Sequence, residues 1–115
     1  MAFSRDVAEL LTFAIGGDAF FSLKLHTPQA AEVYAMGVRR ARHGQGLGSP
    51  LLRAAEAYSR ACGLECLQVK TLGPSDPDVG YAKTRSFYLA RGFVPLEEIH
   101  GLWGQNPCLL LVKRI

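Results

Sequence analysis

The stretch RRARHGQGLGSPLL, residues 39–52, decides the fold. Three arginines and a histidine run into glycines at 44, 46 and 48, after which the chain turns apolar with helical spacing. A helix's first turn carries unpaired N–H groups and the positive end of its dipole. Glycines let such a backbone turn sharply and admit a ligand closely, and arginines add charge and forked donors. The combination describes an anion pocket between a strand and a helix. A Walker loop would end in Gly-Lys-Ser/Thr, and Gly48-Ser49 has no lysine. A dinucleotide fingerprint would space its glycines GxGxxG and place an acid at the end of the next strand. Here the third glycine is misplaced and LQVKTLG offers Lys70 at that strand end instead. A glycine-rich turn with a solvated basic surface is the plain alternative for the loop alone.

Working outward, AAEVYAMGV (30–38) alternates as a strand, with Glu32, Tyr34, Met36 and Val38 expected on one face. Upstream, ELLTFAI and DAFFSLKLH flank Gly16-Gly17 and predict a β-hairpin; a short helix over 5–14 is the alternative. Downstream, SPLLRAAEAYSRAC predicts a helix with Leu51, Ala55, Tyr58 and Cys62 on its inner stripe and Gly63 closing it. LECLQVKTL follows as a strand, GPSDPDVG as a loop, and YAKTRSFYLAR as a second helix stopped by Gly92. FVPLEEIHGLW and CLLLVKRI are two more strands, joined through GQNP. The order β-β-β-loop-α-β-α-β-β contains a strand–helix–strand crossover, so an α/β fold with a mixed central sheet and two main helices is expected.

The 115 residues suit one domain spanning 1–115. With 49% apolar and 20% charged residues, a real core is expected and disorder is not. The N-terminus lacks the pattern of a secretory signal, no apolar run nears the ~20 residues of a membrane span, and a cytoplasmic protein is expected. Cys62, Cys66 and Cys108 form no CxxC pair and predict buried, reduced thiols with no metal site. A net charge of +3 without a broad basic or aromatic face argues against nucleic acid as a partner.

The loop is not the sole signature. His43-Gly44-Gln45-Gly46-Leu47-Gly48 resembles the Arg/Gln-x-x-Gly-x-Gly/Ala pyrophosphate-binding motif of the GNAT superfamily of acyl-CoA-dependent N-acyltransferases. FYLARGF (87–93), one strand later, resembles that superfamily's helix ending in Phe-Tyr-x-x-x-Gly-Phe. The resemblance covers about residues 10–115. It implies that the backbone of Arg42, His43, Gly44, Gln45, Gly46, Leu47, Gly48 and Ser49 binds the CoA pyrophosphate, with Arg39, Arg40 and Arg42 as phosphate partners. It implies that Met36, Gly37 and Val38 pair with the pantetheine arm. It places Tyr88 near the CoA sulfur as general acid, a role open to a phenol held at hydrogen-bond range of the leaving thiolate. A core aromatic with its hydroxyl at the rim is the alternative for Tyr88. The acceptor amine must lose a proton, and Glu32, expected to share a face with Val38, is the candidate base; a solvated strand glutamate is the alternative. His26, His100, Glu97 and Glu98 are further candidates, and a strand amide near Val38 is expected to polarise the thioester carbonyl.

Three departures from the family pattern stand out. His43 replaces Arg or Gln, and Tyr81 stands where many members carry an asparagine. YAKTRSFY resembles a subgroup pattern that implies a role for Lys70 and Arg85; an exposed basic residue is the plainer alternative for each. A GNAT domain also begins with a strand and two helices, and these are expected to be absent, reducing one wall of the acceptor site. The expected function is N-acetyl transfer from acetyl-CoA, a co-substrate, to a small-molecule or peptide amine by direct attack in a ternary complex, without a metal. A homodimer completing the shortened site is expected. A non-catalytic acyl-CoA-binding or regulatory module is the rival.

Overall fold

A computed structural model describes residues 2–5 and 10–115. They fall into two compact units, one running to Leu67 with Ile115 added, the other Gln68–Arg114.

The first unit is an antiparallel meander carrying one helix. Strands β1 (Ala2–Arg5), β2 (Leu10–Ile15), β3 (Ala19–Leu25) and β4 (Ala30–Val38) pair in sequence order. The expected hairpin over β2 and β3 is present, turning at Gly16, whose φ of 52° favours glycine. Strand β1 is an addition to the expected element order. The alternative helix over 5–14 does not form across Leu10–Ile15; residues 6–9 lie outside the described residues. Helix α1 (Gly48–Ala61) packs on β2, β3 and β4. Leu51, Leu52 and Ala55 are buried, as are Leu11, Phe13, Phe21, Leu23, Ala31 and Val33. Tyr58 meets Phe13 edge-on at 5.7 Å between ring centroids. The helix ends in a left-handed Gly63 at φ 83°, with Gly63 N–H donating to Arg60 O and Leu64 N–H to Ser59 O, a Schellman closure. That closure corrects one expectation. Cys62 sits at the cap and is exposed, so the inner stripe runs through the buried Ser59 instead. Of the three thiols, Cys108 alone is buried; Cys66 is half-buried.

A second correction concerns β4. Ser22 pairs with Ala35 and Leu23 with Val33, so Tyr34 is the extra residue of a β-bulge. A bulge inverts the alternation beyond it. Met36 and Val38 lie opposite Phe21 and Ala19, which point to α1, whereas Glu32 lies opposite Lys24 on the other face. Glu32 therefore does not share a face with Val38; it shares one with Ala35 and Gly37.

The second unit holds most of β5 (Cys66–Leu72), α2 (Val79–Ala90), β6 (Val94–Gly101) and β7 (Gly104–Arg114), with strand order β5-β7-β6. Helix α2 starts before the expected Tyr81, because the Asp78 carboxylate accepts the Tyr81 N–H at 3.1 Å and caps it. The expected GQNP connection is instead the start of β7: Gly104 pairs with Gly101, and Pro107 accepts the Gly73 N–H at 2.9 Å. Among the described residues no helix is long and apolar enough to cross a membrane.

Candidate functional site

The loop after β4 is short and strongly shaped. Residues Arg40–Arg42 form one 3-10 turn, and Gly44 and Gly46 then take φ values of 79° and 71°. Only glycine adopts these angles without strain. A Cβ added at either position would meet nothing within 4 Å, so both backbones face open space. The N–H groups of Gly44, Gly46 and Leu47 meet no acceptor among the described residues. Helix α1 begins at Gly48 without a side-chain cap, and Pro50 removes one donor from its first turn. Free amides at a helix N-terminus, with no internal acceptor closing them, fit an anion with several oxygens.

The side chains around the loop are tied down. His43, the unusual residue at the motif's first position, donates from Nε2 to the Val38 carbonyl at 2.7 Å, bracing the loop on β4. Arg42 donates from Nη1 to Asp18 Oδ2 at 2.6 Å and from Nε to the Gln45 side-chain oxygen. Arg39 lies 3.7 Å from Asp18 Oδ1 through its Nε. Arg40 is exposed. Beside this end of β4 lies an open cavity of about 410 Å³ lined by Gly16, Gly17, Asp18, Phe20, Gly37 and Arg39, among others. A Cβ at Gly37 would come 2.5 Å from Phe20 Cε1, so the ring of the exposed Phe20 lies over the strand where position 37 is bare.

Glu32 sits on β4 before the bulge. Its side chain is mostly enclosed, and its Oε1 is 2.6 Å from His26 Nε2, a pairing of two expected candidates. Met36 and Val38 are half-buried on the α1 side.

In the second unit, Tyr88 is 2% exposed and stacked edge-on between Phe87 and Phe93, at centroid distances of 5.1 and 5.2 Å. Burial pushes its phenol well above the ordinary range. Arg91 lies over the Phe87 ring at 3.8 Å and donates to the Phe87 carbonyl. Arg85 donates to the Leu72 carbonyl at 2.6 Å, which gives that residue a bracing role between α2 and the end of β5. Tyr81 is exposed. Glu98 accepts the Ser75 hydroxyl and the Ser75 N–H, with His100 at 3.4 Å; the hydroxyl first and the N–H second hold its carboxyl below the usual range. Glu97 is exposed. No cluster of metal-ligating side chains occurs among the described residues.

The model of the acetyltransferase (GNAT) domain matches residues 7–95. The chain belongs to the GNAT acetyltransferase family. Among solved structures, a GNAT family acetyltransferase from Elizabethkingia anophelis with acetyl-CoA bound superposes with a TM-score of 0.76 at 15% identity, covering 93% of this chain and 76% of that one. The ribosomal-protein-S18-alanine N-acetyltransferase of Escherichia coli superposes at 0.72 with 17% identity, covering 92% and 68%. These GNAT neighbours share the expected α/β fold, a mixed sheet with two helices. In sequence, mycothiol acetyltransferase of Corynebacterium glutamicum is 30% identical over 79 residues, 69% of this chain. The match spans 27% of that protein's length. Sequence reasoning missed Asp18, which lies 24 positions before Arg42 and carries no local signal of pairing with it.

Proposed function

We propose that this GNAT domain transfers an acetyl group from acetyl-CoA to an amine by direct attack in a ternary complex. The observation that carries the reading is the loop between β4 and α1, where the N–H groups of Gly44, Gly46 and Leu47 have no acceptor and lead into an uncapped helix. In this reading the free amides of Gly44, Gly46 and Leu47, within the segment Arg42 to Ser49, hold the pyrophosphate, Arg39 and Arg42 add charge, and the strand backbone at Met36, Gly37 and Val38 pairs with the pantetheine arm. Acetyl-CoA supplies the activated acyl group; the protein's own work is to hold it, orient the amine and move protons. Glu32, mostly enclosed and bonded to His26, is the proposed acceptor of the amine proton. Tyr88 is the proposed donor to the departing sulfur. Its raised pKa keeps the phenol protonated, the form a donor needs, while weakening it as an acid. The acceptor amine in this reading is carried by a small molecule or a peptide.

The enclosure of Tyr88 favours a second reading, in which the domain binds acetyl-CoA without transferring the acetyl group. One experiment separates the two. Thermal unfolding is followed with and without acetyl-CoA, and free CoA release is then scored across a panel of small amines and amino-terminal peptides. Stabilisation with turnover supports transfer; stabilisation with no turnover on any amine supports the binding module. No shift at saturating acetyl-CoA removes both.

A further inference from the structure

The turn between β2 and β3 is remote in sequence from the glycine loop, yet it grips the loop at three points. The Asp18 carbonyl accepts the Arg39 N–H at 2.6 Å. The Asp18 carboxylate takes Arg42 Nη1 at 2.6 Å and stands 3.7 Å from Arg39 Nε. The Arg39 guanidinium also lies beside Gly17, next in the turn, where a Cβ would stand in ordinary contact at 3.5 Å from Nη2. We propose that Asp18 is a positioning residue for the anion loop, holding Arg42, and through it Gln45, in the arrangement that receives the pyrophosphate of CoA. The inference rests on the acetyl-CoA reading.

Two effects oppose each other. A carboxylate beside an anion site repels the anion, which argues that removing Asp18 tightens binding. A free arginine, however, must give up rotamer freedom to grip a phosphate, and Arg42 has already given it up: Nη1 is on Asp18 and Nε on Gln45, leaving Nη2 to the ligand. Side-chain exposures of 28% for Asp18 and 38% for Arg42 admit enough water and salt to weaken the repulsion. A short charge-assisted bond keeps its geometric hold under the same conditions. Preorganisation therefore outweighs repulsion, and affinity falls when the carboxylate is lost although the local positive charge rises.

The test is calorimetric titration of the full chain with CoA and with pantetheine. Asp18→Asn, which keeps an oxygen acceptor and loses the charge, is expected to weaken CoA binding by about five- to tenfold, the scale of one net hydrogen bond, with pantetheine binding unchanged. Arg42→Lys, which keeps the charge and loses the fork, is expected to show a similar loss. Asp18→Asn with Arg42→Lys is expected to be no worse than either alone, because both act through one contact. Should Asp18→Asn unfold, Arg42→Lys carries the same expectation. Equal or tighter CoA binding by Asp18→Asn, an unchanged affinity in Arg42→Lys, or losses that multiply in the double variant overturn the proposal while the acetyl-CoA reading stands. Failure of the wild type to take up CoA overturns both.

Discussion

The glycine loop of the first unit and the Tyr88 cluster of the second carry the family's two signatures, and they are built on opposite principles. The loop is backbone held open: left-handed glycines, unpaired amides and arginines anchored from a distant turn. The cluster is side chain held shut, with Tyr88 enclosed between two aromatic rings. Substitutions in the loop should therefore cost binding and leave the fold, and substitutions in the cluster should cost the fold first.

The sharpest way to break that contrast is to empty the cluster. Tyr88→Ala removes a ring that is 2% exposed, and truncating a buried aromatic costs roughly 3–5 kcal/mol. Urea unfolding should show a loss of that size. Tyr88→Phe keeps the ring and should retain most of the stability, so it isolates the hydroxyl. With an amine substrate in hand, a large fall in kcat at unchanged acetyl-CoA affinity would mark the hydroxyl as the proton donor; an unchanged kcat would remove it from the chemistry.

In the loop, Gly46→Ala tests the other half of the comparison. A Cβ there meets no atom within 4 Å, so the cost is conformational alone, about 1–2 kcal/mol for an L-residue held at φ 71°. The substitution is expected to weaken acetyl-CoA binding by about tenfold as the loop relaxes away from its left-handed turn, because 1.4 kcal/mol corresponds to a factor of ten. Calorimetric titration reads the binding, and the urea midpoint should fall less than for Tyr88→Ala. A loss of stability as large as that of Tyr88→Ala, with binding intact, would reverse the contrast.

Legibility in the sequence follows the same division. The loop could be read because glycines at 44 and 46, apolar spacing after them and Gly63 at the end are local signals for a turn, a helix and its closure. The β2–β3 hairpin was readable from Gly16-Gly17 for the same reason. The bulge at Tyr34 was not, because it is defined by what β3 places opposite, and a period-2 count on β4 alone runs straight through it. That single extra residue moved Glu32 to the face opposite Val38. The enclosure of Tyr88 and the grip of Asp18 on Arg42 were likewise invisible, since each depends on residues brought together only by the folded chain. GQNP carries turn residues but opens β7, because its proline serves the sheet as an acceptor, for which no N–H is needed.

The smallest expected effect lies away from both signatures, at the Ser75–Glu98 clasp, and it sharpens the comparison by supplying an exposed control. Here a carboxylate, not a backbone amide or a ring, holds a loop: the Ser75 hydroxyl and N–H both donate to Glu98, and a Cβ at Gly73 would collide with that carboxylate. Since these bonds favour the charged form, the folded carboxyl titrates below its ordinary value. A depressed carboxyl contributes stability that is present above the unfolded pKa, near 4.3 for glutamate, and is lost as pH falls through the folded one. The clasp is therefore expected to hold throughout the neutral range and to open only in acid, below the ordinary glutamate range. Carboxyl-carbon NMR titration should find Glu98 among the lowest-titrating glutamates, and Glu98→Gln should flatten the acid limb of the stability curve while leaving CoA binding to the loop unchanged. A Glu98 carboxyl titrating at the ordinary value would mean that the Ser75 bonds do not persist in solution.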